Sequence, residues 1–353
     1  MSGVVLVTGV SRYLGGRLAA RLAADPEIDR VIGIDVGAPN RADRLRLGRT
    51  EFVRADIRNP LIAKVIAQAK VDTVVHASVT ATPRSIGGRT SMKEMNVIGT
   101  MQLLAACQKS ETVRRLVVKS TTSVYGATSR DAAVFTEEMD ARPIPRSGYA
   151  QDAIEVESYV RGFSRRRPDV VTTVLRFANF IGPTIDTPIT RYLSLPVVPT
   201  PLGFDPRLQL LHESDAIEVL RLAAGSDRPG VFNVAGAGAL TLSQAIRRAG
   251  RIGLPVPSPA TELVAAVVRR SGLIDFSPEQ LQFLNFGRIV DVARLRTGFG
   301  YEPRFTTAAA FDSFRTERPV PPMVTADQLR QAEGFLLRLI VAARRHAQAA
   351  VGG

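Results

Sequence analysis

The chain has 353 residues, with 45% hydrophobic and 22% charged residues and a formal net charge of +13. This length suits one large domain or a domain with a smaller lobe, and the composition is ordinary for a soluble globular protein. No apolar run approaches the roughly 18 residues of a membrane span. Because a strand pattern follows Met1 almost directly, we expect no signal peptide and a cytoplasmic protein.

The positive charge raises the question of a nucleic-acid partner. The arginines are scattered, and no set of aromatic residues accompanies them for base stacking, so we expect none. The single cysteine, Cys107, lies in an apolar run and is expected to fill the core. With three histidines and no Cys/His cluster, we expect no metal site.

Strand and helix patterns alternate along the first half of the chain. The predicted strands cover residues 4–7, 31–34, 51–55, 71–75, 116–118 and 170–175. The predicted helices cover residues 14–22, 60–68, 90–109 and 149–165. This alternation predicts an α/β fold with a doubly wound parallel sheet, occupying residues 1–176.

The pattern changes after residue 181, where residues 181–206 contain six prolines and only short apolar pieces. This predicts a smaller, irregular substrate lobe over residues 177–318, interleaved with the sheet domain. Within it we expect strands at 208–211 and 231–234 and helices at 214–224, 243–249 and 292–297. A helical tail is predicted over 319–353, with its main helix at 328–349.

Residues 4–16 read V-V-L-V-T-G-V-S-R-Y-L-G-G, a buried strand followed by a glycine turn and a helix. This layout directs backbone N–H groups and a helix N-terminus at a pyrophosphate, although an arginine stands between the glycines. We predict a dinucleotide cradle formed by Thr8, Gly9, Arg12, Tyr13, Leu14 and Gly15.

Asp35 lies 20 residues after Gly15, at the end of the second predicted strand. A carboxylate there can accept hydrogen bonds from both ribose hydroxyls of adenosine, which favours NAD because a 2′-phosphate would be repelled. Arg12 could pair with such a phosphate, so NADP is not excluded.

Further motifs occur in order along the chain: A-D-I-R at 55–58, V-H-A at 75–77, N-V-I-G-T at 96–100, S-T-T-S-V-Y-G at 120–126 and L-R-F-A-N-F-I-G-P at 175–183. With the glycine loop, this set resembles the extended short-chain dehydrogenases/reductases, in the nucleotide-sugar epimerase and dehydratase branch. The resemblance covers about residues 3–315 and implies a Rossmann fold that binds NAD. It adds these cofactor contacts: Asp56, Ile57, His76, Ala77, Asn96, Ser120 and Tyr149.

Catalysis in that family needs a tyrosine base, a lysine four residues later and a Ser/Thr hydroxyl. By position, the resemblance makes Tyr149 the tyrosine and Thr121 the hydroxyl, but the lysine position is Ala153, and no lysine follows Lys119. Three explanations stay open. Another cation (Arg12, Lys119 or Arg84) replaces the lysine, Tyr149 works without help, or the protein binds a dinucleotide without turnover.

We therefore predict an NAD-binding epimerase or dehydratase that acts on a nucleotide sugar or another small hydroxyl substrate. The alternative is a dinucleotide-binding regulatory or scaffold protein. The resemblance suggests Ser123, Asn179 and Arg207 as substrate contacts, and a homodimer formed through helices 90–109 and 149–165. Residues 328–349 are expected to dock on their own protein, and contact with a membrane surface stays open.

Overall fold

A computed structural model describes residues 3–80, 88–141, 144–145, 148–257 and 278–317, without the side chains of 278–281. The predicted tail over 319–353, its helix at 328–349 and the candidate Arg84 lie outside the described residues. Within the described residues, no helix has the length and apolarity needed to cross a membrane.

The first half of the chain alternates strands and helices as predicted. Its strands are β1 (Val4–Thr8), β2 (Arg30–Asp35), β3 (Glu51–Arg54), β4 (Thr73–His76), β5 (Arg115–Thr121) and β6 (Val171–Phe177). Its helices are α1 (Tyr13–Ala23), α2 (Arg41–Arg46), α3 (Ile62–Gln68), α4 (Gly88–Lys93), α5 (Gly99–Lys109) and α6 (Gly148–Arg166). A π-helical turn, Glu94–Ile98, joins α4 to α5, so the helix predicted at 90–109 is continuous but locally widened.

The second half contains short strands and helices. Its strands are β7 (Asn179–Ile181), β8 (Val197–Pro201), β9 (Arg207–Leu208), β10 (Leu210–His212), β11 (Gly230–Val234), β12 (Leu240–Thr241) and β13 (Ile252–Val256). Its helices are α7 (Pro188–Leu193), α8 (Glu213–Ala224), α9 (Leu242–Arg248), α10 (Pro278–Phe286), α11 (Ala293–Phe299) and α12 (Thr307–Glu317).

Seven strands form one parallel sheet in the order β11-β6-β5-β4-β1-β2-β3. The chain moves outward from β1 through β2 and β3, then returns to the other side of β1 with β4. The direction of winding therefore reverses between β1 and β4, where a crevice opens at the carboxyl ends of the strands. The predicted doubly wound α/β fold is confirmed.

Apolar helix faces cover both sides of this sheet. On one side, α1 and α8 bury residues such as Leu18 and Leu220 against β1 and β5. On the other, α3, α5 and α6 bury residues such as Ile66, Leu103 and Phe163. These two layers hold the strand ends rigidly, and so fix the side chains that line the crevice.

One strand predicted at 208–211 is in fact two. β9 pairs antiparallel with β12, whereas β10 pairs parallel with β7. The break falls at Gln209, whose buried amide bonds the backbone of Gly236 and Val290 instead of continuing one ladder. A third apolar cluster, which includes Tyr192, Leu210 and Phe311, forms the core of this region. The predicted boundary between the sheet domain and the substrate lobe stays a prediction.

Candidate functional site

Two cavities open at the carboxyl ends of the strands. The first, of about 390 Å³, is lined by residues that include Arg12, Thr80, Thr121, Tyr149 and Asn179. The second, of about 690 Å³, is lined by residues that include Arg12, Asp35, Asp56 and Thr80. Arg12 and Thr80 contribute to both, so the two cavities adjoin along the glycine loop.

The glycine loop has the close packing that a dinucleotide cradle requires. Gly9 has φ +77, and a Cβ there would lie 3.0 Å from the Ser78 Cα. A Cβ on Gly15 would lie 2.4 Å from the Gly9 carbonyl oxygen. Arg12 precedes α1 without a capping side-chain hydrogen bond, so the first N–H groups of the helix keep their capacity for an anion. The loop therefore fits a pyrophosphate.

The predicted ribose contact lies beside this loop. Asp35 ends β2, and its carboxylate accepts hydrogen bonds from the backbone N–H groups of Ser11 (3.1 Å) and Val36 (2.8 Å). These bonds fix the carboxylate at the wall of the larger cavity. The Asp35 carboxylate suits ribose hydroxyls and opposes a 2′-phosphate, although the positively charged Arg12 and Arg58 line the same cavity.

Asp56 and Ile57 extend the same end of the site. Asp56 lines the larger cavity and is held by Arg58 through a 2.6 Å ion pair. Burial opposes ionisation of Asp56, but the bonds from Arg58 outweigh it and hold the pKa of this carboxyl below its usual range. Ile57 is buried and packs close to Gly99 at the start of α5.

His76 and Asn96 are fully enclosed beneath the crevice. Both ring nitrogens of His76 are hydrogen-bonded to hydroxyl groups. Thr8 lies 3.0 Å from Nδ1, and Thr100 lies 2.8 Å from Nε2. Burial, with a smaller effect from the charge of Lys119, lowers the pKa of His76 to about 3, so the ring is neutral. The Asn96 amide bonds both backbone groups of Thr80, each at 3.0 Å. Asn96 thereby positions the crevice backbone at Thr80, and Ala77 and Ser120 line the smaller cavity.

The structure brings Tyr149 and Thr121 together at the smaller cavity. Burial raises the pKa of Tyr149, a hydrogen bond with Thr121 lowers it in part, and the charge of Asp152 raises it further. Asp152 is itself fully buried and held by Arg89 at 2.6 and 2.7 Å. The phenol therefore keeps its proton at neutral pH and acts as a hydrogen-bond donor.

The resembled family has a lysine at position 153. In this chain the position is an alanine buried in a packed apolar cluster. Ala153 is 1% exposed and packs in a cluster with Val124, Tyr125 and Ala178. A lysine amine does reach the cavity from another element. Lys119, near the end of β5, lines the same cavity as Tyr149 and donates its Nζ proton to the Val79 carbonyl oxygen.

The predicted substrate contacts are only partly brought together. Asn179 lines the smaller cavity, and Ser123 accepts a hydrogen bond from Thr121 at 3.2 Å. Arg207, by contrast, is exposed and reaches the Ala133 carbonyl at 3.3 Å, outside the residues that line either cavity. Its side chain leaves the edge strand β9 toward the surface.

Two further arginines lie near the predicted substrate contacts, and the sequence did not predict either of them. Arg288 donates to the Gly126 carbonyl at 2.7 Å and to the Ser123 hydroxyl at 3.4 Å. Burial lowers its pKa to about 10. Arg191, on α7, lines the smaller cavity and pairs with Asp186. Neither lies in a recognisable motif, so only the folded arrangement reveals them.

A doubly wound sheet with a glycine cradle, a strand-end carboxylate and a Tyr–Thr pair defines a dinucleotide-binding protein of the oxidoreductase type. The chain belongs to the NAD dependent epimerase/dehydratase family, whose sequence model matches residues 5–235. The predicted family and its cofactor, NAD, are thereby confirmed.

The relatives divide into two groups. An uncharacterized protein of Mycobacterium tuberculosis is 49% identical over 332 residues, 94% of this chain and 88% of the relative. The UDP-glucose 4-epimerase of Mycolicibacterium smegmatis is 30% identical over 186 residues, which is 51% of this chain and 57% of the relative.

Solved structures show the same fold. The dTDP-glucose 4,6-dehydratase of Bacillus anthracis in complex with NAD superposes with a TM-score of 0.68 at 20% identity, covering 90% of this chain and 96% of the other. The UDP-glucuronic acid 4-epimerase of Bacillus cereus in complex with NAD gives 0.67 at 18% identity, covering 93% and 99%.

Proposed function

We propose that this protein is an NAD-dependent epimerase or dehydratase that acts on a nucleotide sugar. The observation that carries the proposal is the Tyr149–Thr121 pair, which lines a cavity beside the glycine cradle. Support comes from family membership and from relatives whose names specify UDP- or dTDP-sugars.

The cofactor residues act by position and charge. Gly9, Gly15 and the α1 N-terminus bind the pyrophosphate, and Asp35 accepts from the adenosine ribose. The Asp35 carboxylate favours NAD over NADP, because a 2′-phosphate beside it would be repelled. NAD held there supplies a hydride acceptor beside the smaller cavity.

The Tyr149–Thr121 pair acts on the reacting oxygen. Because Tyr149 keeps its proton, its hydroxyl donates a hydrogen bond to that oxygen. To hold the same oxygen from the strand side, the Thr121 hydroxyl turns its proton from Ser123, to which it donates at 3.2 Å. The two donors also fix the substrate carbon relative to the cofactor, which lowers the entropic part of the barrier.

The part of the smaller cavity that Asn179 and Arg191 line can bind the diphosphate of the nucleotide. Asn179 and Arg191 line this cavity, whereas Arg288, which donates to Ser123 and to the Gly126 carbonyl, is not among the residues that line it. Cationic and amide donors of this kind bind phosphate oxygens. We place the diphosphate on this side and the sugar against Tyr149.

Mass spectrometry of the purified full-length protein tests the cofactor and is expected to release NAD(H). Mixing the loaded protein with UDP-glucose, UDP-glucuronic acid or dTDP-glucose should reduce part of the bound cofactor, observed by its absorbance. Tyr149→Phe should lower this rate by about 100-fold or more. Tyr159→Phe, an exposed tyrosine on the same helix, is the matched control and should keep the rate.

The second candidate function is dinucleotide binding without turnover, and the closed packing of Ala153 favours it. It predicts bound NAD(H) with no reduction by any nucleotide sugar. Reduction that depends on Tyr149 would contradict it.

A homodimer through α5 and α6 is also proposed. Ile98, in the π-helical turn, and Met101, on α5, are apolar side chains that stay exposed. Light scattering should give twice the chain mass of 38.1 kDa, and Met101→Glu should shift it toward the monomer.

A further inference from the structure

We propose that Lys119 is the proton acceptor of this pocket, a role that rests on the proposed function, with Tyr149 and Thr121 as hydroxyl donors. In the oxidative direction the substrate O–H bond breaks, an N–H bond forms on Nζ, and the hydride passes to the nicotinamide cofactor. The ammonium returns the proton in the reverse direction. Lys119 on β5 thus takes the proton that the tyrosine takes in the resembled family.

The first support is placement on β5. Lys119 and Thr121 are two residues apart on one strand, so their side chains leave the same face of the sheet about 7 Å apart. Thr121 bonds Tyr149, and all three residues line one cavity. A long lysine side chain on this face can therefore serve the reacting oxygen.

The second support is burial without a carboxylate. Lys119 is 8% exposed, and its Nζ donates to the Val79 carbonyl oxygen. Within the part of the chain that the structure describes, no carboxylate forms an ion pair with Lys119. An apolar residue would fill the same space at lower cost, so a buried lysine at a cavity wall points to use of its amine.

Burial and one nearby charge keep the Lys119 amine able to accept a proton. Burial, and next the charge of Arg12, lower the pKa of Lys119 to about 7, while burial raises that of Tyr149. A base whose pKa lies near the working pH is the effective one. The titratable and charged groups facing this region are Arg12, His76, Tyr149, Asp152, Asp186 and Arg191.

A titration that needs no substrate tests the amine directly. The chain has five lysines, so the full-length protein labelled with ¹³C-lysine gives few resonances, and Lys119→Met identifies the relevant one. Lys109→Met, an exposed lysine, identifies a different resonance and controls for loss of charge. We expect the Lys119 midpoint near pH 7. A midpoint above about pH 9 would overturn the proposal.

The pH dependence of cofactor reduction by UDP-glucose tests the role. The wild-type rate should fall below about pH 7 with one protonation, and Lys119→Met should lower the rate by about 100-fold and remove this limb. Lys109→Met should keep both the rate and the limb. In Lys119→Ala, propylamine in solution should restore part of the rate, which a merely structural lysine would not allow.

Retention of the wild-type pH profile in Lys119→Met would refute the role of Lys119 as proton acceptor. If the wild-type protein reduces no cofactor with any nucleotide sugar, the proposed function fails. The lysine titration still decides whether position 119 carries the titrating amine, so the two failures can be told apart.

Discussion

Replacing Lys119 with methionine should stabilise the fold. The substitution removes an amine whose pKa is lowered by burial, and whose protonation in the fold therefore costs free energy. The pKa of Lys119 is about 7 in the fold and 10.5 in the free side chain. At about 1.4 kcal/mol for each pH unit, this difference costs about 5 kcal/mol below pH 6. The folded pKa is the lower one, so the cost is complete below pH 7 and disappears as pH rises toward 10.5.

Urea unfolding of the cofactor-free full-length proteins measures this cost. The advantage of Lys119→Met over wild type should shrink from about 5 kcal/mol near pH 6 to about 2 kcal/mol near pH 9. The exposed Lys109→Met should show almost no advantage at either pH. An advantage for Lys119→Met that is equal at both values would refute the reasoning, because it would show that the amine has the same pKa in both states.

Three further outcomes are expected. Asp35→Ala should weaken NAD binding about 10- to 100-fold by calorimetry and reduce the preference over NADP, because the charged ribose acceptor is lost; an unchanged preference would exclude Asp35 as the selector. Glu157→Gln should lower the free energy of unfolding in urea by about 3–5 kcal/mol, because it leaves the buried charge of Arg176 without its carboxylate. The control Glu155→Gln, which removes the carboxylate of a surface ion pair, should lower it by under about 1 kcal/mol. Burial raises the pKa of Cys107 to about 12, so native protein should not react with a thiol reagent at pH 8 while urea-unfolded protein should.

The sequence predicted the sheet and the cofactor end of the site because these depend on local patterns. A strand, a glycine turn and a helix occur together within residues 4–16, and Asp35 follows its strand directly. Parallel strands then bring such strand ends to one edge without further information. The strand-end carboxylate and the glycine cradle could therefore be predicted from the sequence alone.

The substrate end could not be predicted in the same way. Ser123 and Arg288 are 165 positions apart and meet only through the packing of the second half of the chain. Arg207 has the right residue type near the expected position, yet its strand turns the side chain outward. Lys119 was one of three candidate cations, and only the alternation along β5 shows that it shares a face with Thr121.

The packing of Ala153 has a consequence for any redesign of the site. A lysine side chain at position 153 would have to displace neighbours such as Val124, Tyr125 and Ala178, and overpacking of this kind costs about 1–3 kcal/mol. Ala153→Lys alone is therefore expected to destabilise the fold, even where a lysine would serve the chemistry. A lysine fits there only if neighbouring side chains become smaller, so a redesign that restores it has to change several positions together.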